Sequence, residues 1–232
     1  MYILHIETST SICSVALSRG ETMLACHDMK DGMNHSALLA PAIQSILASN
    51  EVKPKDLGAI SVSSGPGSYT GLRVGTSTAK AMAYSLDIPL IAVSSLEAMA
   101  RAVFNRHPEA QYALPMIDAR RREVYTTLIE AGGKEVWPVV SVILDEMFFE
   151  AGLPLTGHIV GCGDGALKIG DLVDYNKNVA VDESIQCSAS HLIGPALAQL
   201  KLGKVENPLH FVPYYMKPPN ITQPKKAGME PL

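Results

Sequence analysis

The 232-residue chain carries 19 Lys and Arg against 23 Asp and Glu, a formal net charge of −4, with 47% hydrophobic and 18% charged residues. That length supports one large domain or two small ones with proper cores. The acidic balance excludes a broad nucleic-acid-binding surface on this chain, though not membership of an assembly that binds RNA.

The chain opens on MYILHIE, a strand pattern rather than a basic or apolar leader, and no stretch approaches 18 apolar residues, so the expected place is the cytoplasm. Tyr2 to Glu7 reads as a buried strand, SICSVALSRG as a second and ETMLACHDM as a third, which makes an antiparallel meander. In HSALLAPAIQSILASN, Leu38, Ala42 and Ile46 recur every four residues beside Leu39, Ile43 and Leu47, a wide apolar helical face. Pro41 lies inside it, so the helix is expected to start late or bend. AISVSS is a strand, SSGPGSYTGLRVG a glycine loop, VGTSTAKAMAYSL a helix starting near Leu72, LIAVSS a strand and LEAMARAVF a helix.

After Phe104-Asn105 the order begins again. YALPMID, REVYTTLIE and EVWPVV are strands, ILDEMFFEAG is a short helix, HIVGCGDG and NVAVD are strands, and SHLIGPALAQLKLGK is a helix. Duplicated mixed-sheet units in this order predict an α/β fold of the actin-like ATPase superfamily, with two ribonuclease-H-like domains at residues 1–101 and 102–232. Fold analogy of this kind carries no function by itself. In the proline-rich end, Phe211 to Met216 is expected to dock on the body, and the tail to be loose from about Lys217.

Two turns have residue types suited to holding an anion. ETSTS places Glu7, Thr8, Ser9 and Thr10 at the end of the first strand, where hydroxyls and backbone N–H groups of a hairpin can point at phosphate or metal, or simply bond each other. In the glycine loop, Pro66 fixes one backbone angle, Gly65, Gly67 and Gly71 permit angles closed to other residues, and Ser68 or Thr70 can cap the next helix. Either the helix start holds an anion there, or the loop is a rigid turn that seats the helix. It is neither a P-loop nor a dinucleotide fingerprint, for it lacks Gly-Lys-Ser/Thr and the G-x-G-x-x-G spacing.

Gly75, Ala79 and Ala83 then form a stripe almost without side chains, along which another helix can come very close, from the same chain or from a partner. DARRREVY concentrates three arginines in a tight turn that fits RNA, a partner, or a solvated hairpin end. Cys13, Cys26, Cys162 and Cys187 are too irregularly spaced for a metal knuckle and read as reduced core thiols; His107, His158, His191 and His210 have no acidic or cysteine partner at metal spacing, His5 reads as structural, and His35 is either a ligand or a polar cap.

IETSTSICSVAL, NHSALLAPAIQSIL, DLGAISVSSGPGSYTGLRVGTSTAKAMA, IAVSSLEAMA and LPMIDARRREVY together resemble the bacterial TsaB (YeaZ) family, densely from Met1 to about Thr127 and thinly afterwards. The resemblance implies a noncatalytic partner subunit in the synthesis of N6-threonylcarbamoyladenosine at position 37 of ANN-decoding tRNAs. Its implied partners are the paralogous catalytic subunit TsaD in a heterodimer, the ATPase TsaE, tRNA through the complex, and a second copy when alone, with no membrane. Where TsaD carries two metal-ligand histidines in H-x-E-x-H, this chain has Ser95, Glu97 and Met99, so no catalytic metal is implied here and no tightly bound cofactor. ATP or ADP with Mg belongs to the complex, and the metal to TsaD. Glu7 stands where a shorter aspartate is usual, which makes Glu7, Thr8, Ser9, Thr10, Gly65, Gly67 and Ser68 a vestigial phosphate site.

The resemblance places the interface on residues 35–49 and 72–86, with His35, Leu38, Leu39, Ala42, Ile46, Arg73, Gly75, Thr76, Ala79 and Ala83 facing the partner. The competing expectation is an actin-fold small-molecule kinase or ATPase working through the two turns. A peptidase is weaker, since no nucleophile–base pair is visible.

Overall fold

A computed structural model describes residues 1–30, 34–151, 153–154 and 156–217. The expected loose tail falls outside the described residues, save Lys217.

Three strands open the chain, β1 (Tyr2–Glu7), β2 (Cys13–Arg19) and β3 (Thr22–Met29), followed by α1 (His35–Ser49), β4 (Leu57–Gly65), α2 (Tyr69–Leu86), β5 (Leu90–Ser94) and α3 (Ser95–Arg106). The same order then recurs in β6 (Tyr112–Asp118), β7 (Glu123–Glu130), β8 (Glu135–Ile143), α4 (Glu146–Ala151), β9 (Ile159–Cys162) and β10 (Val179–Asp182). A 3₁₀ turn (Ala189–Leu192) leads into α5 (Ile193–Lys201).

Each set of strands forms its own five-stranded mixed sheet, ordered β3-β2-β1-β4-β5 and β8-β7-β6-β9-β10. In both, the first three strands pair antiparallel as hairpins. In both, the last two pair parallel across a longer connection, as parallel strands must. The two sheets therefore share one topology. This is the duplicated actin-like plan read from the element order.

Helices cover both faces of the first sheet, which is why β1 is buried throughout beyond Tyr2. Leu39, Ala42, Ile43, Ile46 and Leu47 of α1, with Ala79 and Ala83 of α2, close one face over Leu4, Ile6, Val15, Leu17, Ile60 and Val62. The other face, Ile3, Ala59, Ile91 and Val93, is closed by Ala98 of α3 and by Ile193, Ala196 and Leu197 of α5. The carboxyl-terminal helix thus crosses back onto the first sheet. Helix α3 serves both sheets, for its Leu96, Met99, Ala100 and Val103 pack with Ala113, Ile117, Val160 and Cys162.

Two expected helix starts need correction. Helix α1 starts at His35, upstream of Pro41, rather than late. Pro41 withdraws its hydrogen bond from the carbonyl of Ala37, and both residues lie on the exposed side, where water replaces the lost donor. Helix α2 starts at Tyr69 rather than near Leu72, because Ser68 caps it by accepting the Gly71 N–H at 3.3 Å.

Candidate functional site: the glycine loop, its strap and the paired helices

The turn after β1 lies under the glycine loop rather than facing an open cleft. Glu7, Thr8, Ser9 and Thr10 are all buried. The Ser9 N–H, which would face a phosphate, donates to Glu7 Oε1 at 2.7 Å, and the Ser68 N–H donates to the Ser9 carbonyl at 2.6 Å. Thr8 Oγ1 donates to the Gly71 carbonyl at 2.8 Å. Gly67, Gly71 and Gly75 each present a bare Cα to this turn, and a Cβ at any of them would overlap Ser9 or Thr8. The glycines let two backbones touch. In this conformation the Ser9 and Ser68 N–H groups and the Thr8 hydroxyl, donors of the expected phosphate site, are spent on Glu7, Ser9 and Gly71.

Burial pushes the Glu7 carboxyl above its ordinary range, while the hydroxyls of Ser9, Ser63 and Ser95 favour its charged form and offset part of that rise. The second unit completes the seal. Ser9 Oγ donates to Cys187 Sγ at 3.6 Å, and Cys187 Sγ lies 3.7 Å from Met99 Sδ. Ser95, Met99 and Cys187 are buried, and burial holds the Cys187 thiol well above its usual range, so it stays protonated and unreactive. Among the described residues no group of three or more His, Cys, Asp or Glu is placed to hold a metal ion.

A strap of the final described residues crosses over the loop. Phe211 packs into the core beneath α1 and α2, its carbonyl accepting from Lys80 Nζ at 2.8 Å. The Tyr214 N–H donates to the Ser64 carbonyl at 2.7 Å, and the Tyr215 ring lies 4.7 Å from that of Tyr69. Met216 then packs on the second core, and Lys217 pairs with Glu123 of β7. The strap's carbonyl oxygen at Tyr214 lies 2.7 Å from where a Cβ on Gly65 would be, too close for one, and Gly65 has a positive φ of +97° that other residues rarely adopt. Sequence reading foresaw docking here. It missed that the docked segment closes the glycine loop, because nothing in a Pro-Tyr-Tyr-Met run names its acceptor.

The helix pair requires the largest correction. Leu39, Ala42, Ile46, Ala79 and Ala83 lie in the chain's own core, and His35, Gly75 and Thr76 are buried as well. Of the ten residues expected at a partner, Arg73 is exposed and Leu38 half-buried. A spacing of four defines a helix face without saying which way it turns, and the nearly bare stripe is spent on Thr8 and the sheet. The outward faces of α1 and α2, which pack side by side, carry a second set of mostly small residues, Ala37, Ala40, Pro41 and Ala48 with Ser77, Ala81 and Ser85, beside the longer Gln44. Tyr84 at 65% exposure and Arg73, whose guanidinium stands 5.6 Å from the Tyr69 ring centroid, border them.

A family model described as "TsaD: tRNA N6-adenosine threonylcarbamoyltransferase" matches residues 30–192. The TsaB protein of Escherichia coli, a tRNA threonylcarbamoyladenosine biosynthesis protein, is 30% identical over 99% of this chain and 100% of its own. The chain belongs to the TsaB (YeaZ) family. Bacillus subtilis TsaB is 45% identical, in a match spanning 56% of each chain, about half the length of that relative. YeaZ from Pseudomonas aeruginosa superimposes with a TM-score of 0.77 at 25% identity, covering 92% of this chain and 99% of that one. The actin-like fold extends to the activator of the 2-hydroxyisocaproyl-CoA dehydratase from Clostridium difficile, with a TM-score of 0.54 at 11% identity over 88% and 96% of the chains. Among the described residues of this TsaB-family chain, no helix is long and apolar enough to cross a membrane.

Proposed function

We propose that this chain is the noncatalytic partner subunit of a complex that transfers threonylcarbamoyl to N6 of adenosine 37 in ANN-decoding tRNAs. The observation that carries this is the end-to-end match to the Escherichia coli TsaB protein. The chain pairs with a TsaD-type catalytic subunit through the outward faces of α1 and α2, where small side chains allow close helix approach. Alone, it pairs with a second copy through the same face. The TsaE-type ATPase joins the assembly, ATP or ADP with Mg works there, the catalytic metal is held by the TsaD-type subunit, and the complex acts in the cytoplasm. The proposed division at residues 101 and 102 cuts within α3, the helix that both sheets share.

In this chain the place of a metal-bearing motif is held by Ser95 and Met99, packed shut against Glu7 and Cys187. A hydroxyl and a thioether make a poor ligand set for a catalytic iron or zinc. The residues therefore act as a rigid body that presents a surface, rather than as acids, bases or nucleophiles. The test is co-purification with TsaD- and TsaE-type proteins, then a tRNA modification assay that omits each in turn. Undiminished modification without this chain would overturn the proposal, and turnover of Mg-ATP by the isolated chain would favour a small-molecule kinase.

A further inference from the structure

The turn between β6 and β7 departs from what folding alone would choose. Arg120 and Arg121 both have positive φ, 76° and 51°. The left-handed region suits Gly and Asn, and a long side chain gains nothing there. The turn is nevertheless held firmly, with the Arg120 N–H donating to Asp118 Oδ1 at 2.5 Å and the Glu123 N–H to the Arg120 carbonyl at 3.1 Å. Arg120, Arg121 and Arg122 are exposed, and no carboxylate pairs with any of their guanidinium groups among the described residues. The two acids that flank them in sequence are already engaged, Asp118 by Lys168 at 2.6 Å and Glu123 by Lys217. On a chain of net charge −4, an unspent positive point stands on a strained hairpin. Strain at a surface turn is a reason to look for function.

We propose that this hairpin contacts the phosphate backbone of a structured RNA. The guanidinium fork matches phosphate oxygens two at a time, and consecutive arginines fanned around a turn suit a run of phosphates better than a single carboxylate. A protein partner would need a desolvated apolar centre. The turn itself offers only Ala119, with Ile143 exposed across the ladder from Glu123. The inference rests on the proposed place of the chain in a tRNA-modifying complex, and it assigns one of that complex's RNA contacts to this subunit.

The double variant Arg120→Asn/Arg121→Gly separates folding from binding, because it gives the turn the residues its backbone prefers. Its melting temperature holds or rises. In the complex with the TsaD-type subunit, fluorescence anisotropy of an unmodified tRNA transcript between about 50 and about 200 mM salt should show the log–log salt slope flattened by about 1.5. Arg120→Lys/Arg121→Lys recovers most of the slope. An unchanged slope overturns the proposal, and an unchanged slope with lost subunit assembly would instead assign the hairpin to protein contact. If the wild-type chain fails to assemble at all, the proposed function fails, and the same titration on the chain alone still decides the hairpin.

Discussion

His5 lies inside β1 with its ring bonded on both sides, Nδ1 to Ser61 Oγ at 3.0 Å and Nε2 to Ser18 Oγ at 2.9 Å. Burial lowers its pKa to about 3, so the folded chain keeps it neutral while the unfolded chain protonates it below its ordinary value of 6.5. Its native burial is therefore tolerated in full above that value and opposed as pH falls below it. Between pH 7 and pH 5 this single group should remove about 2 kcal/mol of stability. Urea melts at both pH values should show His5→Gln, which retains a hydroxyl contact, losing less by that amount, and equal losses would remove His5 as the cause. Glu7 gives the opposite slope. Its folded pKa is raised, so its contribution is whole below the ordinary carboxylate value and declines as pH rises through the folded one. Glu7→Gln should be the more stable protein at pH 8 and show no such decline. A variant less stable at pH 8 would mean that the hydroxyls around Glu7 outweigh its desolvation.

The two sides of α2 are expected to answer substitution differently. Ala79→Leu overpacks a core position of 0% exposure, costing about 1–3 kcal/mol, or a fall of roughly 2–12 °C in melting temperature of the isolated chain. Ala81→Leu, on the outward face, should leave the melt unchanged yet weaken association with a TsaD-type subunit by roughly 5- to 150-fold. Sedimentation beside thermal melting checks both, and a reversal of the two phenotypes would return the interface to the inner stripe. The helices themselves were legible because Leu39, Ile43 and Ile46 repeat at helical spacing, and the hairpins because Arg19-Gly20 and Gly132-Gly133 punctuate alternating strands. The duplicated fold plan followed from the repeated element order. What escaped was direction. Gly75, Ala79 and Ala83 look alike whether they meet a partner helix or Thr8, since contact with residues 60 to 70 positions away leaves no local pattern. The turn at Glu7 stayed open between two readings for a related reason: Ser and Thr that bond their neighbours read the same as Ser and Thr awaiting phosphate.

Across the whole molecule, the strap from Phe211 to Lys217 ties the first sheet's helices to the second sheet. Its anchor is apolar. Phe211→Ala should cost about 3 kcal/mol, whereas Lys217→Ala, at a partly exposed ion pair, should cost under about 1 kcal/mol. Denaturant melts rank the two, and a larger loss at Lys217 would make the strap an ionic clasp instead. The return of α5 to the first sheet bears on how the protein is born. Ile3, Ala59, Ile91 and Val93 are made well before Ile193, Ala196 and Leu197, which cover them. At ordinary rates of synthesis, about 5–20 residues per second, the interval between Val93 and Ile193 lasts roughly 5–20 s. Throughout that time the nascent first sheet lacks the α5 part of its apolar cover and is open to chaperones or to another unfinished chain, and its folding is completed only once α5 has been made.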